Sequence, residues 1–409
     1  MTIRTDRLAI DGGVPVRDIV ARPWPSWPEF DVTEEEALLK VLRSGIWWYV
    51  EGAEGRSLEQ EFAEFQQARY AVACTNGSAA LEIALRALDI GCGDEVIVPP
   101  YTFIATATAV LAVGATPVFA DIQPGTLNLD PILAEAAITS RTRAIIAVHM
   151  AGRPADLDAF LDIGSRRGLA IIEDAAQAHA AAWRGRRVGA IGCLGTFSLQ
   201  ASKNLNAGEG GLITSDDEEL ADKAWSVMNV GRSRTGKWYE HNVLGSNFRM
   251  TEFQSAIARV QLSRVEQQTE RRTASAIRLR ELLSGVEGVA LPELDSRITT
   301  HAYHLFTFRY SPEAFQGRTY ESFLRALWAE GIPCSDGYVP LYREKVFQNV
   351  GATARCAART GQSYGDLRLE VCEAACSDTV WLPQKLLLAP PSEMDCVAHA
   401  IARIQTAGV

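Results

Sequence analysis

No stretch of the 409 residues is both long enough and free enough of charge to cross a bilayer, so a membrane-spanning helix is not expected. The residues from Met1 to Pro15 carry Arg4, Asp6 and Arg7 and lack an apolar run of signal-peptide length. A cytoplasmic protein follows. Blocks of like charge are missing as well. The net charge of -10 is spread along the chain, which speaks for solubility and against a basic nucleic-acid footprint. Cysteine is thin and scattered: the eight at positions 74, 92, 193, 334, 356, 372, 376 and 396 sit mostly among apolar neighbours, which suits reduced core thiols rather than a disulfide framework. Only Cys372 and Cys376 lie close together. Their spacing suits one face of a helix, but no second pair of Cys or His accompanies them, and no metal site is expected. Internal repeats and low-complexity segments are absent too.

What is there reads as a globular protein of two or three units. Thr33 and Glu36 make a capping-box pattern before an apolar-periodic helix over 34–44 that stops at Gly45, and a second helix is predicted over 58–67. Strand-like runs then alternate with helices or loops. They cover 70–74, 95–98, 116–120, 144–149, 169–173, 195–199 and 212–214, with the helix 78–88 after the first. This alternation predicts an α/β domain with a mostly parallel sheet covered on both faces. An amphipathic stretch over 251–284 reads as one long helix bridging domains, and strands 303–310 and 379–382 with helices 320–330 and 393–404 suggest a smaller α+β domain. The expected divisions are an N-terminal segment 1–50 near the active site, a large domain 51–250, the bridging helix 251–285 and a small domain 286–409.

Three clusters carry chemistry. In Thr75-Asn76-Gly77-Ser78-Ala79-Ala80 a strand runs through a glycine turn into a helix. Free N–H groups at Ser78 and Ala79, the Ser78 hydroxyl and the helix dipole could converge on a phosphate, although Ser78 could equally just cap its helix. In Ile171-Ile172-Glu173-Asp174-Ala175-Ala176-Gln177-Ala178-His179 an acid ends an apolar strand, at the edge of a parallel sheet where ligands bind. A carboxylate there can pair with a protonated ring nitrogen, or it can cap the next segment. His179 reads as structural. In Ser198-Leu199-Gln200-Ala201-Ser202-Lys203-Asn204-Leu205, followed by Gly208-Glu209-Gly210-Gly211, a lysine between a strand and a glycine-rich turn can sit in a dry pocket as a neutral nucleophilic amine. Alone it would be read as a solvated surface lysine; its company argues otherwise.

The ordered series Asp174-x-x-Gln177, Ser198-x-x-x-x-Lys203, Gly208-Glu209-Gly210-Gly211 and Gly245-x-Asn247-Phe248-Arg249 resembles the DegT family of sugar aminotransferases. The likeness runs over nearly the whole chain, from Ser44-Gly45-x-Trp47 to Val380-Trp381-Leu382. It implies fold type I, a mostly parallel seven-stranded sheet between helices with a smaller C-terminal α+β domain, and pyridoxal 5'-phosphate as cofactor. It also implies roles. Lys203 would form the Schiff base and shuttle the proton, Asp174 would pair with the pyridine nitrogen, and Gln177 would contact the phenolic oxygen. Phe103 would stack on the ring, while Ser78, Ala79 and Ser198 would hold the phosphate. Asn247 would reach the phosphate from the second subunit of a homodimer. Family members often have glycine and tyrosine where this chain has Ala180 and Phe248. A branch with histidine in place of the lysine dehydrates sugars, and Lys203 argues against it.

The Gly208–Gly211 variant, Trp47-Trp48 and Trp24-Pro25-x-Trp27-Pro28 resemble members that make aminocyclitols or related antibiotic precursors. The resemblance therefore implies transfer of an amino group from glutamine or glutamate to a keto-cyclitol or keto-sugar, with Trp47, Trp48 and Tyr49 expected at the substrate pocket. Two rival readings stand beside it. One is the dehydration and aromatisation of the 3-amino-5-hydroxybenzoate synthases, which typically carry histidine at the position of Gln177. The other is a non-catalytic regulatory protein on the same fold; no basic helix-turn-helix precedes the domain, and Lys203 is present.

Overall fold

The computed structural model describes residues 7–349 and 363–407, so Cys356 lies outside the described residues. Helix α1 (Val32–Ser44) begins two residues earlier than predicted. Asp31 is its cap, accepting from the Thr33 N–H while Glu34 reaches back to the Asp31 N–H at 2.9 Å. The capping box is thus Asp31/Glu34 rather than Thr33/Glu36, because Asp31 precedes the first helical residue and Thr33 already lies inside the helix. After α2 (Glu54–Phe65) the alternating pattern becomes β1 (Tyr70–Cys74), α3 (Gly77–Ala87), β2 (Glu95–Val98), α4 (Ala105–Ala112), β3 (Thr116–Phe119), β4 (Thr142–Val148), α5 (Leu157–Arg167), β5 (Ala170–Asp174), β6 (Leu194–Ser198) and β7 (Gly211–Ser215). Strand ends differ from the predicted ones by at most two residues.

These seven strands form one sheet in the order β1-β7-β6-β5-β4-β2-β3. Every pairing is parallel except the two made by β7, which runs against both β6 and β1. The central strands carry apolar runs, as burial on both faces requires: Ile145, Ile146, Ala147, Ile171 and Ile172 are all buried. Because six strands point one way, the ends of β1, β2, β4, β5 and β6 meet at one edge. That edge is where such sheets bind ligands.

After α6 (Glu218–Met228), the single bridging helix predicted over 251–285 is two helices, α7 (Glu252–Leu262) and α8 (Val265–Leu283). The Ser263 hydroxyl donates to the Val260 carbonyl at 2.7 Å, and the Arg264 N–H turns to the Gln261 carbonyl at 3.0 Å, tightening the turn and interrupting the ladder. The small domain pairs β8 (Val289–Ala290), β9 (Leu305–Tyr310) and β10 (Thr379–Pro383), covered by α9 (Tyr320–Ala329) and α11 (Met394–Thr406), with α10 (Glu370–Asp378) leading into β10. Its core joins Phe308, Phe323, Val380 and Ile401 to Leu279 and Leu283 of α8 and to Leu8 from the N-terminal segment. That segment therefore does two jobs. The Trp24 indole N–H donates to the Gly331 carbonyl at 2.8 Å and the Arg17 N–H to Glu330, which ties the stretch before α1 to the small domain and brings Trp27 over the sheet edge.

Cys372 and Cys376 do share a face of α10, with sulfurs 3.9 Å apart. Among the described residues no group of His, Cys, Asp or Glu is placed to hold a metal ion, and no helix is long and apolar enough to cross a membrane.

Candidate active site

A cavity of about 980 Å³ opens at the carboxyl edge of the sheet, between the large and small domains. Asp174, at the end of β5, lies buried in its wall. The Thr106 hydroxyl donates to its Oδ2 at 2.8 Å and the Ala176 N–H to its Oδ1 at 3.2 Å. Burial nevertheless raises its carboxyl above the usual range, against the pull of those bonds and of the charge on Lys203. Asp174 is therefore a carboxylate short of cationic company, suited to a partner that brings a positive charge.

Its neighbour Glu173 is fully satisfied. Burial works against its charge, yet it accepts from His149 at 2.9 Å and from the N–H groups of Gly189, Ile191 and Gly192 at 2.6–2.8 Å, and its carboxyl is held below the usual range. His149 Nδ1 accepts from the Ala155 N–H at 3.0 Å, so its Nε2 carries the hydrogen given to Glu173. The His149 N–H in turn donates to the Asp174 carbonyl at 3.1 Å, which anchors the end of β5 under the cavity.

Lys203 lines the cavity from the loop between β6 and β7. That loop folds back on itself: the Lys203 N–H donates to Gln200, the Ala207 N–H to Leu199 and the Ala201 N–H to Gly208, while Asn204 anchors it to the Ala302 carbonyl at 2.7 Å. Gly211 is required where β7 begins, since a Cβ there would lie 2.4 Å from the Asn76 carbonyl oxygen. Burial pushes the Lys203 amine down to about 8, although Asp174 draws it back up. A lysine so placed is neutral for about a tenth of the time at pH 7, far more than a solvated lysine is. His179, read as structural, is buried against Phe197 and held neutral by burial and by the charges of Lys203 and Arg272, its ring pushed down to about 3.

The phosphate-like end takes a form the sequence only half predicts. The cap of α3 is Asn76, whose Oδ1 accepts from the Ala79 N–H at 2.8 Å, so Ser78 is not the cap and the N–H expected free at Ala79 is already taken. The N–H groups of Gly77 and Ser78, the first two helical residues, have no intrahelical acceptor and lie at the cavity together with the Ser78 hydroxyl. Ser198, at the end of β6, faces them. A Cβ on Gly77 would come 2.8 Å from the Ser198 Cβ and 3.2 Å from its hydroxyl, so glycine keeps a cradle open there. A phosphate fits this cradle, with donors from a helix N-terminus and two hydroxyls around it.

Gln177 Oε1 accepts from the Ala151 N–H at 2.8 Å, which turns its amide nitrogen to the Tyr338 hydroxyl at 3.0 Å and toward the cavity. Phe103 lines the cavity with 56% of its surface exposed, an apolar ring left open for a flat partner. Asn247 does not line the cavity of its own chain; it is exposed, in a bridge with Asn229. The expected pocket residues Trp47, Trp48 and Tyr49 are also elsewhere. Tyr49 is core, its hydroxyl bonded to Glu59 at 2.6 Å, and the two tryptophans pack on Phe253 and Trp238. Their places are taken by Trp27, Tyr338 and Trp381, with His304, Gln200 and Gln384 as polar company.

Three comparisons bear on this geometry. The model of the DegT/DnrJ/EryC1/StrS aminotransferase family matches residues 28–402. The L-glutamine:scyllo-inosose aminotransferase of Streptomyces griseus is 37% identical, with 97% of each chain covered. The 3-amino-5-hydroxybenzoate synthase of Amycolatopsis mediterranei is 36% identical over 93% of this chain and 97% of its own. A crystal structure of 3-amino-5-hydroxybenzoic acid synthase superposes with a TM-score of 0.84 at 36% identity, covering 93% of this chain and 98% of that one.

Proposed function

Because the chain belongs to the DegT/DnrJ/EryC1/StrS aminotransferase family, a family dependent on pyridoxal 5'-phosphate, we propose that it moves the amino group of glutamine onto a keto-cyclitol. The observation that carries this reading is that the Lys203 amine and the buried Asp174 carboxylate line one cavity that ends in the Gly77–Ser78 cradle. These residues fit the cofactor. The cradle and Ser198 would hold its phosphate, Asp174 its ring nitrogen, the Gln177 amide its phenolic oxygen and Phe103 its face. When bound, the cofactor supplies an electron sink for the carbon that bears the transferred nitrogen.

The protein's own part is positioning and proton movement. Asp174, ionised, would keep a proton on the ring nitrogen of the bound cofactor, and Thr106 and Ala176 hold its two oxygens. Lys203 Nζ, neutral for much of the time near pH 8, takes a proton from one carbon and returns it to another. His149 and Glu173 hold the strand end below. Trp27, Phe103, Tyr338 and Trp381 offer aromatic faces, and Gln200 and Ser202 polar ones, a combination suited to a flat ring rich in hydroxyls.

Support for glutamine and a cyclitol ketone comes from the name of the Streptomyces griseus relative and from the polar, aromatic cavity. We also read the active unit as a homodimer. Trp238, Tyr239 and Leu244, in the segment leading to Asn247, are 60–83% exposed, apolar surface of the kind that a second subunit covers, and Asn247 would then reach the partner's phosphate cradle. In the test, the cofactor-loaded enzyme is given glutamine without ketone and its visible absorbance band bleaches. Adding keto-cyclitols restores the band and yields the amine by mass. No spectral change with any amino donor refutes the reading. Aromatisation is the second reading, favoured by the name of the Amycolatopsis relative, and an aromatic product detected by ultraviolet absorbance would select it.

A further inference from the structure

Helix α8 carries a side chain that the reaction as described does not use. Arg272 is completely buried, and neither of its terminal guanidinium nitrogens has a hydrogen-bond partner among the described residues. Its Nε donates to Gln384 Oε1 at 2.9 Å, and its guanidinium lies 5.2 Å from the ring of Trp27. Gln384 and Trp27 both line the cavity. The acid whose charge acts on it, Glu29, is already bonded at 3.0 Å to Arg271 and at 3.0 Å to Gln268. Burial pushes the guanidinium down to about 9, a sign of how poorly its charge is compensated. A buried cation of this kind is costly unless an anion comes to it.

The geometry also settles which way Gln384 points. A guanidinium has only N–H to offer, so the amide oxygen of Gln384 must face Arg272 and its NH2 is the end left for the cavity. Beside it Lys385 is exposed and lines the same wall. A donor N–H, a free ammonium and an uncompensated guanidinium behind them make this wall positive.

We propose that the Gln384–Lys385 wall, backed by Arg272, is the subsite for the α-carboxylate of the amino donor. A keto-cyclitol carries no charge and gains little from this wall, whereas an amino acid brings a carboxylate into every first half-reaction. Gln384 and Lys385 touch the carboxylate; Arg272 is a positioning residue that orients the Gln384 amide and supplies field. This assignment rests on the reading of the protein as an aminotransferase with an amino-acid donor.

The test compares glutamine with 4-aminobutanamide, the same amine without its α-carboxylate, by bleaching of the loaded enzyme's absorbance band. The wild type half-saturates with glutamine at a concentration at least about tenfold lower than with 4-aminobutanamide. Gln384→Glu gives Arg272 its own carboxylate with little change of shape, and the ratio falls to less than about threefold. Lys385→Ala, at an exposed position, reduces it by a smaller factor. In both variants the half-saturating ketone concentration shifts less than the half-saturating glutamine concentration does. An unchanged ratio in Gln384→Glu, or a ketone effect as large as the donor effect, overturns the subsite. Calorimetric titration of the loaded enzyme with glutarate, which has no amine to transfer, separates the two claims. Glutarate binding that Gln384→Glu abolishes, in an enzyme that responds to no amino donor, refutes the functional reading and supports the subsite. Equal glutarate binding by wild type and Gln384→Glu, in an enzyme that does respond to glutamine, does the reverse.

Discussion

Thr106→Val replaces a hydroxyl by a methyl of nearly the same size, so it tests one bond: the 2.8 Å donation to Asp174 Oδ2. A hydrogen bond to a charged group is worth about 1.5–3 kcal/mol, which at about 1.4 kcal/mol per pKa unit corresponds to a further rise of roughly one to two units for Asp174. Thr102, 3.1 Å from the Thr106 hydroxyl, loses a partner too, but that loss does not depend on pH. The sign follows from Asp174 being already raised by burial. A carboxyl with a raised folded pKa contributes stability that is fully present below its unfolded value of 3.8 and is lost as pH rises through the folded value. Thr106→Val moves that folded value higher still. Its deficit against the wild type is therefore small below about pH 4 and grows by about 1.5–3 kcal/mol as pH rises past both folded values. Denaturant unfolding of the cofactor-free proteins between about pH 4 and pH 9 measures it, with Thr106→Ser as the variant that keeps the hydroxyl. A deficit that stays constant across this range refutes the claim that Thr106 stabilises the ionised form of Asp174.

Lys203, with its amine pushed down to about 8, is expected to react with added pyridoxal phosphate with a pH midpoint near that value; a midpoint near the ordinary 10.5 shows a solvated lysine. Lys203→Ala loses turnover and the visible band while remaining folded by circular dichroism. Gly77→Ala places a Cβ 2.8 Å from the Ser198 Cβ and narrows the cradle, so cofactor affinity measured by absorbance titration falls by about tenfold or more; wild-type affinity removes the cradle from the site. Glu173→Gln cannot satisfy all four donors and costs about 2–4 kcal/mol at neutral pH. Because the Glu173 carboxyl lies below its ordinary 4.5, the stability it contributes is present above that value and is lost as pH falls below it, so the variant's deficit shrinks in acid.

The parts of the site legible in the sequence are those where one short segment both folds and reacts. Asp174 ends a strand whose apolar run is its own evidence, and Lys203 follows another strand within a few residues. Two glycines of the Gly208–Gly211 turn answer a backbone need: Gly208 has φ +80°, and Gly211 lies where β7 passes the Asn76 carbonyl. Ala180, where the family resemblance leads one to expect glycine, has φ +66°, the conformation that favours glycine. Capping was harder. Asn76 and Asp31 took caps expected of Ser78 and Thr33, because a hydroxyl and an amide or carboxylate oxygen two positions apart present the same signal and only the first helical residue decides between them. The wall opposite Lys203 was not legible. Trp27, His304, Tyr338, Trp381 and Gln384 are scattered over more than three hundred residues, and each sits in a local context that says only strand, loop or core. Trp47 and Trp48, by contrast, stood out as a pair and drew the substrate role, yet they pack on Phe253 and Trp238 outside the cavity. An indole in a sequence signals a large apolar surface to be covered, and it does not say whether a substrate or another part of the fold covers it. Only the closing of the small domain and the N-terminal segment over the sheet edge assigns Trp27 to the cavity. Arg272 makes the same point with charge: within α8 it reads as one more arginine of a polar helix, and its role appears once Gln384 arrives from 112 residues away to take its Nε and leave the rest of the guanidinium unanswered.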